Sequence, residues 1–182
     1  VTGPATVGRV RELLTARLRL RAFGPGDEDA VHAYAGDPQV CTHVTWGPNS
    51  RAESEEFVAE QLAARDTADE DGRWTWAITR DGEVLGTVAL WVSSAANSRG
   101  ELGYVLRRDA WGAGITTEAA RAVLGFGFSD AGLARVEATC RPENTGSRRV
   151  LEKIGMRCEG LLRSHVVVRG ERRDSLLFAA VG

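Results

Sequence analysis

Gly103-Tyr104-Val105-Leu106-Arg107-Arg108-Asp109-Ala110-Trp111-Gly112-Ala113-Gly114-Ile115-Thr116-Thr117-Glu118 carries the end of a strand, a glycine loop and the start of a helix within sixteen residues. The first amides of a helix have no intrahelical acceptor, and the aligned peptide dipoles leave partial positive charge there. Such a helix start, approached through Gly112 and Gly114, suits a pyrophosphate, because glycine allows close approach of a ligand and adopts φ > 0 at little cost. Taken alone, Gly-x-Gly between a strand and a helix serves a tight connection equally well. The chain has no third glycine spaced for a dinucleotide fold and no Gly-Lys-Ser/Thr, so the other common phosphate loops do not apply.

Upstream of this unit, apolar and basic residues alternate from Ala16 to Phe23, the period of a half-buried strand that Gly24-Pro25-Gly26 ends. Asp27 is positioned to cap a short helix reaching about Ala35, and Ser50 or Ser54 to open a second carrying Phe57, Val58, Leu62 and Ala63. An irregular segment with Trp46-Gly47-Pro48 lies between them. Arg73 to Thr79 and Glu83 to Val92 are strand-like, and Arg80-Asp81-Gly82 between them predicts a hairpin. Glu101 to Arg107 is the next strand, and in the helix after the glycine loop Ala119, Ala120, Val123, Leu124 and Phe128 form one apolar face.

Downstream, Leu133 to Cys140 reads as a strand and Ser147 to Ile154 as a helix stopped by Gly155. Val166 to Val168 and Ser175 to Val181 read as strands around Arg169-Gly170-Glu171. The order predicts an α+β chain with one central sheet. Residues 1–13 show no clear periodicity and read as a flexible leader, with the domain spanning 14–182.

A length of 182 residues with 43% hydrophobic content fits one compact domain. The net charge of -2 supplies no global drive toward nucleic acid or anionic lipid. Cys41, Cys140 and Cys158 are an odd number at wide spacing, which fits neither a disulfide framework nor a zinc site and points to a reducing cytoplasm. No stretch approaches the roughly 18 apolar residues that a membrane span needs. The expectation is a cytoplasmic protein with no metal, no nucleic-acid partner and no membrane partner, as a monomer or homodimer.

Gly-Tyr-Val-Leu, four residues, then Trp-Gly-Ala-Gly-Ile-Thr-Thr-Glu-Ala resembles the GNAT superfamily of acetyl-CoA-dependent N-acetyltransferases. Asn144-Thr145-Gly146-Ser147 leading into Leu151-Glu152-Lys153-Ile154-Gly155-Met156 is similar to that superfamily's later motif. Leu14 to Arg21 and Trp46-Gly47-Pro48 resemble the branch that includes the ribosomal-protein alanine N-acetyltransferases. The resemblance implies a GNAT-type single domain whose central mixed, mostly antiparallel sheet splays between its fourth and fifth strands, flanked by helices. Glu101 to Arg107 would be the fourth strand and Leu133 to Cys140 the fifth.

Carried over by position, the backbone around Leu106 would hold the acetyl and pantetheine end of acetyl-CoA. The amides of Gly112, Ala113, Gly114, Ile115 and Thr116 would receive the pyrophosphate, and Asn144 would bond the pantetheine arm. Trp111 stands where many members have arginine, so affinity should rest on the amides. The Thr116 hydroxyl is either an extra phosphate donor or a mild obstruction, with the donor favoured.

The implied reaction moves acetyl directly to a primary amine of a protein N-terminus or a small molecule. A lysine-like amine costs about 4.6 kcal/mol to deprotonate at pH 7, whereas an α-amine costs only about 1 kcal/mol, so the acceptor sets how strong a base is needed. Glu101, just before the acetyl-holding stretch, is the first candidate base. His165 is the second, since imidazole exchanges protons near neutrality. Ser147, Tyr104 and Cys140 compete to protonate the leaving thiolate, with Ser147 first because it shares an apolar helix face. Leu151 stands where the superfamily's usual acid tyrosine would be, and Val166 where this branch often has glutamate. These two departures keep open an acyl-CoA-binding sensor or scaffold, and the second argues against a ribosomal-protein substrate; a third reading keeps the enzyme with a different acyl thioester donor. Trp46, Trp74, Trp76 and Trp91 are candidates for either an acceptor pocket or the core.

Overall fold

The computed structural model describes residues 10–66 and 72–182. The elements run β1 (Leu13–Leu14), β2 (Arg19–Arg21), α1 (Glu28–Ala35), α2 (Arg51–Asp66), β3 (Arg73–Arg80), β4 (Glu83–Ser94) and β5 (Arg99–Leu106). They continue with α3 (Ile115–Ser129), β6 (Arg135–Cys140), α4 (Thr145–Lys153), β7 (Arg157–Val168) and β8 (Glu171–Val181). One sheet takes the order β1-β2-β3-β4-β5-β6-β8-β7. Every described pair is antiparallel except β5 with β6.

That exception positions the site. β5 and β6 pair only through Arg99↔Arg135, Gly100↔Val136 and Glu101↔Glu137. Beyond Glu101, β5 continues to Leu106 bonded on its other edge to β4, while β6 leaves it. The sheet is thereby splayed where the sequence predicts, and these strands are the expected fourth and fifth, counted one higher because Leu13–Leu14 adds a short strand. On the opening side, the edge of Leu102 to Leu106 has no strand partner among the described residues for its outward peptide groups.

Period-2 alternation assigns the two faces. Trp74, Trp76 and Ile78 of β3 and Val88 and Leu90 of β4 are buried in one core with α3, where Phe126 meets Trp74 and Trp76 edge-on at 5.4 and 5.3 Å. Gly127 of α3 admits this close packing, since a Cβ there would stand 3.2 Å from Leu90. The other face, from Ala77 and Val84 to Val105, packs against α1 and α2 through Phe23, Val31, Tyr34 and Val58.

Several local expectations are corrected. The first strand is shorter than Ala16 to Phe23 because the chain turns at Thr15, whose amide donates to the Leu18 carbonyl at 3.0 Å, and only Arg19–Arg21 pairs with β3. Asp27 stands at the N-cap of α1 without bonding its amides; its carboxylate instead accepts from Arg21 at 2.7 and 2.8 Å and from the Gly24 amide at 2.8 Å. Burial works against that charge, but the Arg21 and Gly24 hydrogen bonds outweigh it and hold the carboxyl below its usual range.

Of the two serines, Ser50 opens α2. Its hydroxyl accepts from the Glu53 amide at 3.3 Å, and Glu53 reaches back to the Ser50 amide at 2.6 Å, a reciprocal capping box. β7 begins at Arg157, well before Val166, because register shifts between Cys158 and Gly160 and between Leu162 and Val166 erase the alternation that marks a strand. The Asp81-Gly82 hairpin forms as expected, with φ of 52° and 86°. Of the leader read over 1–13, residues 1–9 lie outside the described residues. Val10 packs on the core, and the Arg11 carbonyl accepts from Trp76 Nε1 at 2.7 Å.

Candidate active site

The glycine loop lies between β5 and α3 as the spacing requires. Gly112 and Gly114 both adopt φ of 75°, a conformation that opposes any Cβ, and Gly114 is the N-cap of α3. The loop is braced from behind. Glu118, in the first turn of α3, accepts from the Thr15 hydroxyl at 2.6 Å, the Arg17 amide at 2.9 Å and Arg17 Nε at 2.7 Å, while an Arg17 terminal nitrogen donates to the Ala113 carbonyl at 3.1 Å. Burial disfavours the Glu118 charge, but these hydrogen bonds prevail and lower its pKa. The carboxylate at the end of the motif therefore fixes the loop.

A cleft of about 630 Å³ runs from this loop along the splayed edge of β5 to the start of α4, lined by Leu106, Trp111, Gly112, Thr116, Asn144 and Ser147 among others. Asn144 Oδ1 caps α4 by accepting from the Ser147 amide at 3.0 Å, and its side-chain amine has no partner among the described residues. Trp111 donates its indole N–H to the Leu106 carbonyl at 2.8 Å and leaves its ring half exposed at the cleft. The Leu106 carbonyl is thus already engaged. Among the described residues the Thr116 hydroxyl has no partner.

Tyr104 is more central than its place in the motif suggests. It lines this cleft, a smaller cavity of about 240 Å³ between the splayed strands, and a third of about 430 Å³ beneath α1 and α2. Its hydroxyl lies 2.8 Å from Ser147 Oγ and 3.2 Å from the Ser147 carbonyl. Burial pushes the phenol's pKa up, so it remains a neutral O–H. Cys140 adjoins the same pair, and burial pushes its thiol up to about 11. His43, which sequence reasoning missed, lines both the long cleft and the smaller cavity. No motif surrounds it; it stands three residues before Trp46-Gly47-Pro48 in a short 3-10 turn.

The remaining candidates are dispersed. Glu101 lies opposite Trp91 on the α1–α2 face, one alternation before Gly103, and lines none of these three cavities. His165 is exposed in the irregular stretch of β7 and likewise lines none of them, whereas its neighbour Val166 does. Strand parity divides the tryptophans of β3 and β4, with Trp74 and Trp76 in the core and Trp91 at the third cavity, which Trp46 reaches from the loop before α2.

Residues 17–157 match the family model described as the acetyltransferase (GNAT) domain. The chain belongs to the GNAT acetyltransferases. An N-acetyltransferase of Bacillus licheniformis, p20, is 30% identical over 92% of this chain and 94% of its own length. A GNAT-family acetyltransferase from Bacillus anthracis superposes with a TM-score of 0.82 at 28% identity, covering 94% of this chain and 98% of that one. Mycobacterium smegmatis RimJ, solved with CoA-disulfide, gives a TM-score of 0.80 at 29% identity over 90% of this chain and 81% of its own. The acetyltransferase fold and enzyme class expected from the two motifs are therefore those of this chain. Among the described residues, no group of His, Cys, Asp and Glu is arranged to hold a metal, and no helix is long and apolar enough to cross a membrane.

Proposed function

We propose that the protein transfers the acetyl group of acetyl-CoA directly to a primary amine in a ternary complex. The observation that carries this reading is the position of Tyr104, whose hydroxyl meets Ser147 in the cleft running from the glycine loop and whose place on β5 also borders the cavity under α1 and α2. The donor enters between β5 and β6, where the sheet opens; that the ligand is a coenzyme A thioester is supported by the mycobacterial relative, solved with CoA-disulfide. Amides of Gly112 to Thr116 receive the pyrophosphate, the Thr116 hydroxyl adds a donor, and the side-chain amine of Asn144 holds a carbonyl of the pantetheine arm.

The amine arrives from the other side of β5. Its lone pair attacks the thioester carbonyl carbon, the C–S bond breaks, and the sulfur departs as thiolate. The hydroxyl pair of Tyr104 and Ser147 delivers a proton to that sulfur, a role open to Tyr104 because its phenol stays protonated. The proton lost by the nitrogen passes by way of water to Glu101, which lies outside the cavity wall, one alternation before Gly103 on the acceptor face. His165, exposed on β7, takes no part.

Incubation with acetyl-CoA and a panel of primary amines tests the reading by release of free CoA thiol. Thiol release that depends on the amine, with mass spectrometry showing the acetylated product, is expected. Acetyl-CoA binding with no release across the panel contradicts it.

A further inference from the structure

The cavity under α1 and α2 has a chemical character that selects an acceptor. Its floor is the sheet face carrying Thr75, Thr87, Ala89 and Gly103; Trp91 stands further along β4, and Trp46, which also borders the smaller cavity between the splayed strands, forms part of the wall. Gly103 keeps that floor low: a Cβ there would stand 3.3 Å from the Trp91 ring, so the indole lies across β5. The Arg73 guanidinium covers Trp91 at 5.4 Å from the ring centroid. Phe57 and Val31 come down from the helices. From Thr87 to Trp91 along β4 is roughly 14 Å, and about 430 Å³ is the size of a small-molecule pocket.

At the near end lies a polar pair. Tyr34 and Thr87 are 2% and 9% exposed, and their hydroxyls meet at 2.6 Å. Two hydroxyls joined by one hydrogen bond use one proton. The other has no acceptor among the described residues, and a buried unmade hydrogen bond costs about 1–3 kcal/mol. Burial pushes the Tyr34 phenol up, which keeps both protons in place. Thr87 pairs directly across from Val105, which, with Tyr104 and Val44, is shared by this cavity and the long cleft. An oxygen placed on the spare O–H therefore sits beside the position where the amine meets the acetyl group. Among the described residues no carboxylate lines the cavity, so no opposite charge there pairs with a second ammonium.

We propose that the acceptor is a small α-amino carbonyl compound with an aromatic side chain, its carbonyl oxygen accepting from the Tyr34–Thr87 pair and its ring lying against Trp46 and Trp91. This rests on the acetyl-transfer reading above and names the substrate class for it. Aromatic stacking and burial favour the ring, and the oxygen accepts the spare hydroxyl proton of the buried Tyr34–Thr87 pair.

The test compares phenylalaninamide and tryptophanamide with alaninamide, phenethylamine, spermidine and a tetrapeptide beginning with Phe, in wild type and in Thr87→Val. The two aromatic amides should lead in kcat/KM, at least tenfold ahead of alaninamide and spermidine. Thr87→Val, which keeps the shape and removes the hydroxyl, should lower kcat/KM about tenfold for the amides and less than twofold for phenethylamine, which has no oxygen to lose. Its KM for acetyl-CoA reports whether it has folded. Trp91→Ala should remove the advantage of the aromatic amides over alaninamide. The inference is overturned by spermidine or alaninamide leading, by the tetrapeptide exceeding both amides, or by Thr87→Val reducing all amines equally. Silence from every amine, with acetyl-CoA bound, sinks instead the transfer reading on which it rests.

Discussion

The donor cleft and the acceptor cavity meet at Val44, Tyr104 and Val105 but are made of different materials. Along the donor side the functional groups are largely backbone: amides of the loop and of α3, and the unpaired edge of β5. On the acceptor side they are side chains from α1, α2, β3, β4 and the Trp46 loop, set over a floor of small residues. A backbone site recognises what every acetyl donor of this kind has in common, whereas a side-chain site is free to differ. Substitutions in the first should alter the use of acetyl-CoA whatever amine is offered; substitutions in the second should alter one amine against another.

Tyr104 stands at the junction and gives the largest expected effect. Tyr104→Phe should lower kcat about a hundredfold with every amine, the size of a lost proton donor, and leave the KM for acetyl-CoA unchanged. Steady-state kinetics with two unrelated amines checks this; a change confined to one amine would move Tyr104 wholly into the acceptor site.

Asp27 tests the scaffold beneath the acceptor cavity, because it ties β2 to the start of the helix carrying Tyr34. Asp27→Asn should cost about 2 kcal/mol at pH 7 in denaturant unfolding. The folded-state pKa of Asp27 is depressed, so its contribution is fully present above the ordinary carboxyl value near pH 4 and is lost as pH falls below it. The gap between variant and wild type should close in that acidic range.

On the donor side, Gly114→Val forces a β-branched residue to a φ of 75° and should raise the KM for acetyl-CoA about tenfold, equally for all amines. Thr116→Ala removes one hydroxyl donor and should raise the same constant about fivefold. The smallest effect concerns Cys140. Its thiol is pushed up to about 11 by burial, so it should remain unalkylated at pH 8 under conditions that label the exposed Cys158. Mass spectrometry of the labelled protein checks it.

The same division explains what the sequence revealed. Gly112 and Gly114 are legible because φ > 0 at a helix start requires glycine, and two ordered motifs placed the splayed strands. Asn144 is legible only through the resemblance of the later motif, and its cap over the Ser147 amide, though a local contact, is absent from the sequence reading. Trp46 and Trp91 could not be separated from Trp74 and Trp76 by composition; the parity of β3 and β4 sets Trp91 apart once the faces of the sheet are known, and Trp46 arrives from a loop whose path no local pattern announces. The Tyr34–Thr87 and Tyr104–Ser147 pairs join residues 53 and 43 positions apart, and no local pattern announces such contacts. His43 shows the same gap from the other side, a cleft residue with no motif around it.

The central claim is that the loop amides hold the pyrophosphate of acetyl-CoA in the opening between β5 and β6. Calorimetric titration of wild type and Gly114→Val with acetyl-CoA and with S-acetylpantetheine, which lacks the pyrophosphate, tests it most directly. The account predicts that acetyl-CoA binding weakens about tenfold in Gly114→Val while the weaker binding of S-acetylpantetheine is the same in both proteins. Unchanged acetyl-CoA binding in the folded variant, or an equal loss for both ligands, would contradict it.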